Sequence, residues 1–139
     1  MEENEKYQIE IKVTFRAGHR LLPPYKGSCN NPHGEGYTAI FIFEKENLDE
    51  NGMVFDFGSI KGRIKKWINE NWDHSYIHHY KDEVGQYLKS KGFRTYVLPF
   101  NPTAEHMAGW LFKEFKHLSL KKVGIIESFE DSIAWFGTK

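Results

Sequence analysis

From Tyr7 to Phe15 apolar and polar residues alternate without a break, with Tyr7, Ile9, Ile11, Val13 and Phe15 on one side and Gln8, Glu10, Lys12 and Thr14 on the other. Successive side chains of an extended chain point to opposite faces, so this run predicts a strand with one face buried. Such a strand needs neighbours for its backbone and a second layer over its apolar face. A second run, from about Gly36 to Glu46, alternates Tyr37, Ala39, Phe41 and Phe43 with Thr38, Ile40 and Ile42, and both faces read as at least partly covered. Asp49-Glu50-Asn51-Gly52 carries a turn signature ahead of the short run Met53 to Phe57, and the two together predict a hairpin.

After Gly58 the apolar period lengthens. Ile60, Ile64, Trp67 and Ile68 stand at helical spacing and predict a helix over 59–70. Residues 81–90 form a candidate second, short helix, and residues 93–98 are rich in strand formers. Thr103 is placed to cap a helix of about four turns whose stripe is Met107, Leu111, Phe112 and Phe115. Residues 123–128 and 132–136 read as the closing strands. Strands at both ends with helices between them give an α+β class, an antiparallel four-stranded sheet with two helices on one face. At 139 residues the chain is about one domain long, expected as a polar, flexible tail over 1–6 and a single domain over 7–139.

Nineteen basic residues offset nineteen acidic ones, so no overall field holds a nucleic-acid backbone or an anionic membrane. A lone Cys29 cannot form an intrachain disulfide, and no apolar stretch approaches the ~20 residues that span a bilayer. The start, MEENEKY, lacks the basic-then-apolar pattern of a secretion signal, and a cytoplasmic location is the expectation. Uncovered sheet edges call for a partner, which a second copy of the chain would supply.

The reactive residue types crowd into FRAGHRLLPPYKGSCNNPHGEGY, residues 15–37, and WDH, residues 72–74. Gly18 to Gly36, with four glycines and three prolines, reads as a long irregular connection of the kind that usually carries function. His33 and Glu35, two residues apart on an extended segment, can face one centre while His19 enters from the preceding segment. Two imidazoles and a carboxylate suit catalytic zinc and also non-haem iron, while seven histidines in a chain this short also fall near one another by chance. Cys29 beside a cation is a base or nucleophile, and taken alone it reads better as a small buried hydrophobe. Asp73 preceding His74 is the pairing that fixes an imidazole tautomer, and equally a helix-end capping pair. Glu127 on an apolar strand face needs a donor, either the paired N–H groups of a heterocycle or, favoured on pattern alone, a salt bridge or a place at the strand end near solvent. Glu105 in the first turn of a helix is accounted for by the helix dipole.

Taken in order, FRAGHRL, SCNNPHGEGY, GMVFDFGSIK, WDH, NPTAEH and GIIESFEDSIAWF resemble the 6-pyruvoyl-tetrahydropterin synthase and 6-carboxy-tetrahydropterin synthase family over nearly the whole chain. The resemblance implies a tunnelling fold, in which subunits assemble into a barrel as trimers or hexamers with active sites between them. It implies a lyase acting on 7,8-dihydroneopterin triphosphate, with 6-carboxytetrahydropterin formation on the route to 7-deazaguanine and queuosine as the leading activity. Alternatives are 6-pyruvoyl-tetrahydropterin formation, or a pterin-binding paralogue with no turnover or another substrate. Carried over by position, His19 and His33 are zinc ligands with Glu35 where the family has a third histidine, and Fe2+ or Mn2+ are alternative metals. Cys29 is the proton-abstracting thiolate, Asp73 and His74 its relay, Glu127 the pterin anchor and Glu105 its support. Arg16, Arg20, Lys26 and Lys61 are candidate triphosphate contacts. The HGE in place of HGH removes one unit of positive charge from the centre if Glu35 binds the metal.

Overall fold

A computed structural model describes residues 4–128 and 131–139. Among them the strands are β1 (Tyr7–His19), β2 (His33–Lys45), β3 (Ser75–His79), β4 (Thr95–Leu98), β5 (Leu120–Glu127) and β6 (Ala134–Gly137). The helices are α1 (Phe57–Asn71), α2 (Glu83–Ser90) and α3 (Ala104–Phe115), with single 3-10 turns at Ser28–Asn30 and Lys116–Leu118. No helix among the described residues is long and apolar enough to cross a membrane. Of the six residues expected as a tail, the first three lie outside the described residues, and Asn4, Glu5 and Lys6 are exposed.

The sheet is six-stranded, ordered β4-β3-β1-β2-β5-β6. The α+β class holds, but four antiparallel strands do not: β3 runs parallel to β1, and β4 parallel to β3. The segment Ser75–His79 is buried along nearly all its length on both faces, so polarity does not alternate along it and a two-residue period cannot reveal it. Its parallel sense follows from the return through α1, since parallel neighbours need a crossover rather than a tight turn.

The layers also differ from two helices on one face. Ile60, Ile64 and Ile68 of α1 share one apolar cluster with Met107, Ala108, Leu111, Phe112 and Phe115 of α3 and with Val13, Phe15, Tyr37, Phe41, Val123 and Ile125 of the strands. On β3, Ile77 belongs to that cluster while its neighbour His78 turns to the reverse side, where α2 packs. A Cβ placed on Gly85 of α2 would collide with the His78 ring, which sets how closely this helix approaches the sheet. Gly85→Ala is therefore expected to destabilise the fold by about 1–3 kcal/mol in urea denaturation despite alanine's better helix propensity.

Helix ends follow the local chemistry. Thr103 caps α3, its hydroxyl accepting from His106 N at 3.1 Å, as its place behind Pro102 predicts. The hairpin expected through Met53–Phe57 does not form. The turn itself is present, with Gly52 N donating to Asp49 O at 2.9 Å and Gly52 at φ +77°. Asp56 then accepts from Ser59 N at 2.9 Å and starts α1, so the apolar run enters a helix rather than a strand. The long connection is shorter than expected, because β1 continues to His19 and β2 begins at His33.

Candidate metal centre and adjoining cavity

The extension of β1 and β2 creates the site. In their antiparallel register His19 lies opposite His33, and Ala17 opposite Glu35. His33, Glu35, Tyr37 and Ala39 alternate onto the same face, which becomes the core face further along. At this end of the sheet the core face is lined by polar groups. The His19 and His33 ring centres are 4.6 Å apart, and one ligand atom from each of His19, His33 and Glu35 lies within 4.8 Å of the others.

Hydrogen bonding decides what these groups present. His19 Nδ1 lies 3.0 Å from Pro102 O, and His33 Nδ1 2.7 Å from Asn31 O. A carbonyl only accepts, so both Nδ1 atoms carry the proton, and in the neutral ring it is Nε2 that presents the lone pair. His19 Nε2, His33 Nε2 and Glu35 Oε2 are buried without a hydrogen-bond partner. Glu35 Oε1 lies 3.0 Å from His33 Nε2, close enough for an ion pair, yet without the alignment of a hydrogen bond. Burial lowers the His19 pKa to about 4, more than the Pro102 bond raises it, and the neighbouring His33 adds to the lowering. His19 is therefore neutral at physiological pH, as a ligand must be. Two imidazoles held by backbone carbonyls and one carboxylate, their free atoms converging, fit a divalent metal.

The other residues singled out in the sequence divide into three groups. Glu127 ends β5 in register with Tyr37, on the same face as the cluster. It lines a cavity of about 460 Å3 with Glu105, Ala104, Ile125, Ser132, Ile133 and Ala134. Burial, then the charge of Glu35 and more weakly that of Glu105, raise the Glu127 pKa against the pull of His33. Among the described residues Glu127 makes no ion pair, so no salt bridge satisfies it, while its half-buried place as the last residue of β5 matches the strand-end acid also expected.

Cys29 sits half-buried on the 3-10 turn, its carbonyl accepting from Leu21 N at 2.8 Å, outside the three-residue cluster. Its thiol meets the Tyr25 hydroxyl, and that hydrogen bond raises the Tyr25 pKa. Tyr25 reaches it by lying over Gly27, where a Cβ would collide with the hydroxyl. Nothing in the sequence marks Tyr25 as a partner of Cys29.

Asp73 and His74 stand apart from both. Asp73 Oδ1 accepts from Arg16 N at 3.0 Å, Asp73 Oδ2 lies 3.0 Å from His74 Nδ1, and His74 N donates to Arg16 O at 2.6 Å. Although burial raises the Asp73 pKa, the bonds from Arg16 N and His74, with the charges of His74 and Arg94, leave it below the usual range. The pair is thus tied to β1 three residues from His19, about 10 Å along a strand. The His74 side chain is 77% exposed and at φ +58°. Of the four candidate phosphate contacts, Arg20 is taken by the buried Asp82 at 2.9 Å, while Arg16, Lys26 and Lys61 are exposed.

Among curated proteins the chain is 43% identical over 99 residues to the 6-carboxy-5,6,7,8-tetrahydropterin synthase of Rickettsia bellii, covering 70% of this chain and 71% of that one. It is 29% identical over 133 residues to the enzyme of that name from Haemophilus influenzae, covering 88% and 93%. Among solved structures an uncharacterized protein from Wolinella succinogenes superposes with a TM-score of 0.82 at 21% identity, over 98% of this chain and all of that one. The Caenorhabditis elegans 6-pyruvoyl tetrahydropterin synthase does so at 0.69 and 22%, over the whole of both chains. These two show the same fold. The 6-pyruvoyl tetrahydropterin synthase family matches residues 8–137, and with the six ordered blocks and the fold they produce, the chain belongs to that family.

Proposed function

We propose that this protein is a metal-dependent carbon–oxygen lyase that converts 7,8-dihydroneopterin triphosphate to 6-carboxy-5,6,7,8-tetrahydropterin. The observation that carries this reading is the convergence of three buried ligand atoms without hydrogen-bond partners on the sheet face that also bears Glu127. His19, His33 and Glu35 hold the ion, Zn2+ in the first instance with Fe2+ or Mn2+ as alternatives. When bound, it polarises the hydroxyls of the substrate side chain. Glu127 accepts from the pterin's amino and ring N–H groups, with Glu105 lining the same cavity. Cys29 takes a proton from the side-chain carbon, and His74, oriented by Asp73, moves the second proton.

The separation of Asp73 and His74 from the ligand cluster supports a site completed by a second subunit, in a trimer or hexamer. Exposed edge-strand residues, Val97 on β4 with Trp135 and Phe136 on β6, support the same assembly. Residues 7–139 act as one domain within it. The carboxylated product suits synthesis of 7-deazaguanine and queuosine in the cytoplasm. Arg16, Lys26 and Lys61 remain as contacts for the leaving triphosphate, and Arg20, already paired, drops out.

Incubating metal-loaded protein with 7,8-dihydroneopterin triphosphate is expected to release triphosphate, acetaldehyde and the 6-carboxy product. Recovery of intact substrate would sink the proposal, and 6-pyruvoyl product would reassign it within the family. Elemental analysis is expected to find one metal per chain, lost in His19→Ala and in Glu35→Ala. Glu35 favours a second reading, because a carboxylate in place of a neutral ligand lowers the charge of the centre and with it the polarising power. A protein that binds guanine-like ligands through Glu127 but never releases triphosphate would establish that reading, a pterin-binding paralogue.

A further inference from the structure

The segment 101–106 reaches the candidate metal centre through the Pro102 carbonyl and supplies no ligand. Asn101 joins its side-chain amide to the backbone of Leu22 at both ends: Leu22 N donates to Oδ1 at 2.9 Å, and Nδ2 donates to Leu22 O at 3.0 Å. The Asn101 carbonyl accepts from Thr103 N at 2.9 Å and from His106 Nδ1 at 2.7 Å, and the His106 ring stacks on Phe100 at 4.0 Å. Asn101 is thus held from both sides, and the next residue, Pro102, places its carbonyl against His19. Leu22 lies three residues past His19, so the amide fastens the Pro102 segment to the strand end that carries the ligand.

His19 Nδ1 has a second neighbour. Tyr37 Oη lies 3.3 Å from it, on a ring that is 1% exposed and stacked on Phe15 at 5.0 Å. The two neighbours have opposite consequences. The Pro102 carbonyl can only accept, so it places the proton on Nδ1 and leaves the Nε2 lone pair for a metal. A tyrosine hydroxyl can donate. Were it to do so, Nδ1 would bear the lone pair, the proton would sit on Nε2 and the ligand atom would be blocked. An ordinary phenol keeps its proton at neutral pH, so the hydroxyl has one to donate. Among the described residues that hydroxyl has no other hydrogen-bond partner.

We infer that Asn101 is a positioning residue for the metal centre: its latch on Leu22 keeps the Pro102 carbonyl on His19 and so selects the Nδ1–H tautomer over the one that Tyr37 would impose. The inference rests on the metal reading of the proposed function. It adds a tautomer selector outside the ligand set, and a competitor, Tyr37, inside the pocket.

The test compares wild type, Asn101→Ala, Asn101→Asp and Asn101→Ala/Tyr37→Phe. Long-range 1H–15N spectra of the metal-free proteins at pH 7.5 read the His19 tautomer, and competition with a chromophoric chelator reads Zn2+ affinity. Wild type is expected to show the Nδ1–H form. Asn101→Ala is expected to populate the Nε2–H form and to bind Zn2+ about 10- to 100-fold more weakly, the range found when an outer-shell partner is lost. Asn101→Asp keeps the acceptor for Leu22 N, loses the donor to Leu22 O and falls between. Tyr37→Phe removes the competing donor and restores most of the affinity of Asn101→Ala, which a general loosening of the loop would not do. An unchanged tautomer in a folded Asn101→Ala or Asn101→Asp protein, or failure of Tyr37→Phe to restore binding, overturns the inference. A wild-type protein that binds no Zn2+ overturns the metal reading and the purpose assigned to Asn101, whereas the ring spectra still score the latch separately.

Discussion

Cys29→Ala is expected to retain one metal per chain and to lose turnover of 7,8-dihydroneopterin triphosphate by about 100- to 10,000-fold, the range that a positioned acid or base supplies. Metal content holds because Cys29 stands outside the cluster formed by His19, His33 and Glu35, whose ligand atoms are prepared by backbone carbonyls rather than by the thiol. Turnover falls because no other group on the connection between β1 and β2 replaces the base. Tyr25 meets the thiol, but an ordinary phenol, with a pKa of about 10, keeps its proton at neutral pH and does not stand in. Metal analysis beside single-turnover kinetics checks both halves. Loss of metal together with activity would instead make Cys29 a ligand.

Glu127→Gln is expected to weaken pterin binding by about 3 kcal/mol or more, roughly 100-fold or more in Kd, because hydrogen bonds to a charged partner are worth about 1.5–3 kcal/mol each. The amide keeps the size of the side chain but presents one N–H group against the donors of the heterocycle. The same residue sets a pH dependence. Its raised pKa means that Glu127 takes up a proton at higher pH than an ordinary carboxyl, and the protonated form no longer accepts from both N–H groups. Pterin affinity therefore falls as pH is lowered, beginning above the usual carboxylate range. Metal binding counters the charge of Glu35, one cause of the shift, so the fall in the loaded protein begins at lower pH than in the metal-free one. Titration calorimetry across pH on both forms measures the difference, and Glu127→Gln is expected to flatten it.

Much of this was legible where one physical rule acts alone. Alternation located β1 and β2 because each strand has an apolar face toward α1 and α3. Helical spacing identified Ile60, Ile64 and Ile68 and the stripe of α3, all of them buried. A capping hydroxyl announced α3 at Thr103. The reading failed where two rules compete. Ser75–His79 shows no alternation because α2 covers its second face, so no local period marks this interior strand. Met53–Phe57 has strand-like composition, but Asp56 caps a helix that begins at Phe57, so the run leads into that helix as irregular chain and pairs with no strand among the described residues.

The chain by itself determined the donor types of the site: two imidazoles, a carboxylate, a thiol and an acid on an apolar strand, in an order matched by one family over most of its length. These are covalent facts, indifferent to folding. Only the tertiary structure decided which nitrogen of each imidazole faces the centre, because that choice belongs to carbonyls at Asn31 and Pro102, and a backbone carbonyl has no side chain to read in a sequence. It also decided that Asp73 and His74 stand outside the cluster, since a parallel crossover through α1, invisible to any local period, carries them to Arg16 rather than to His19.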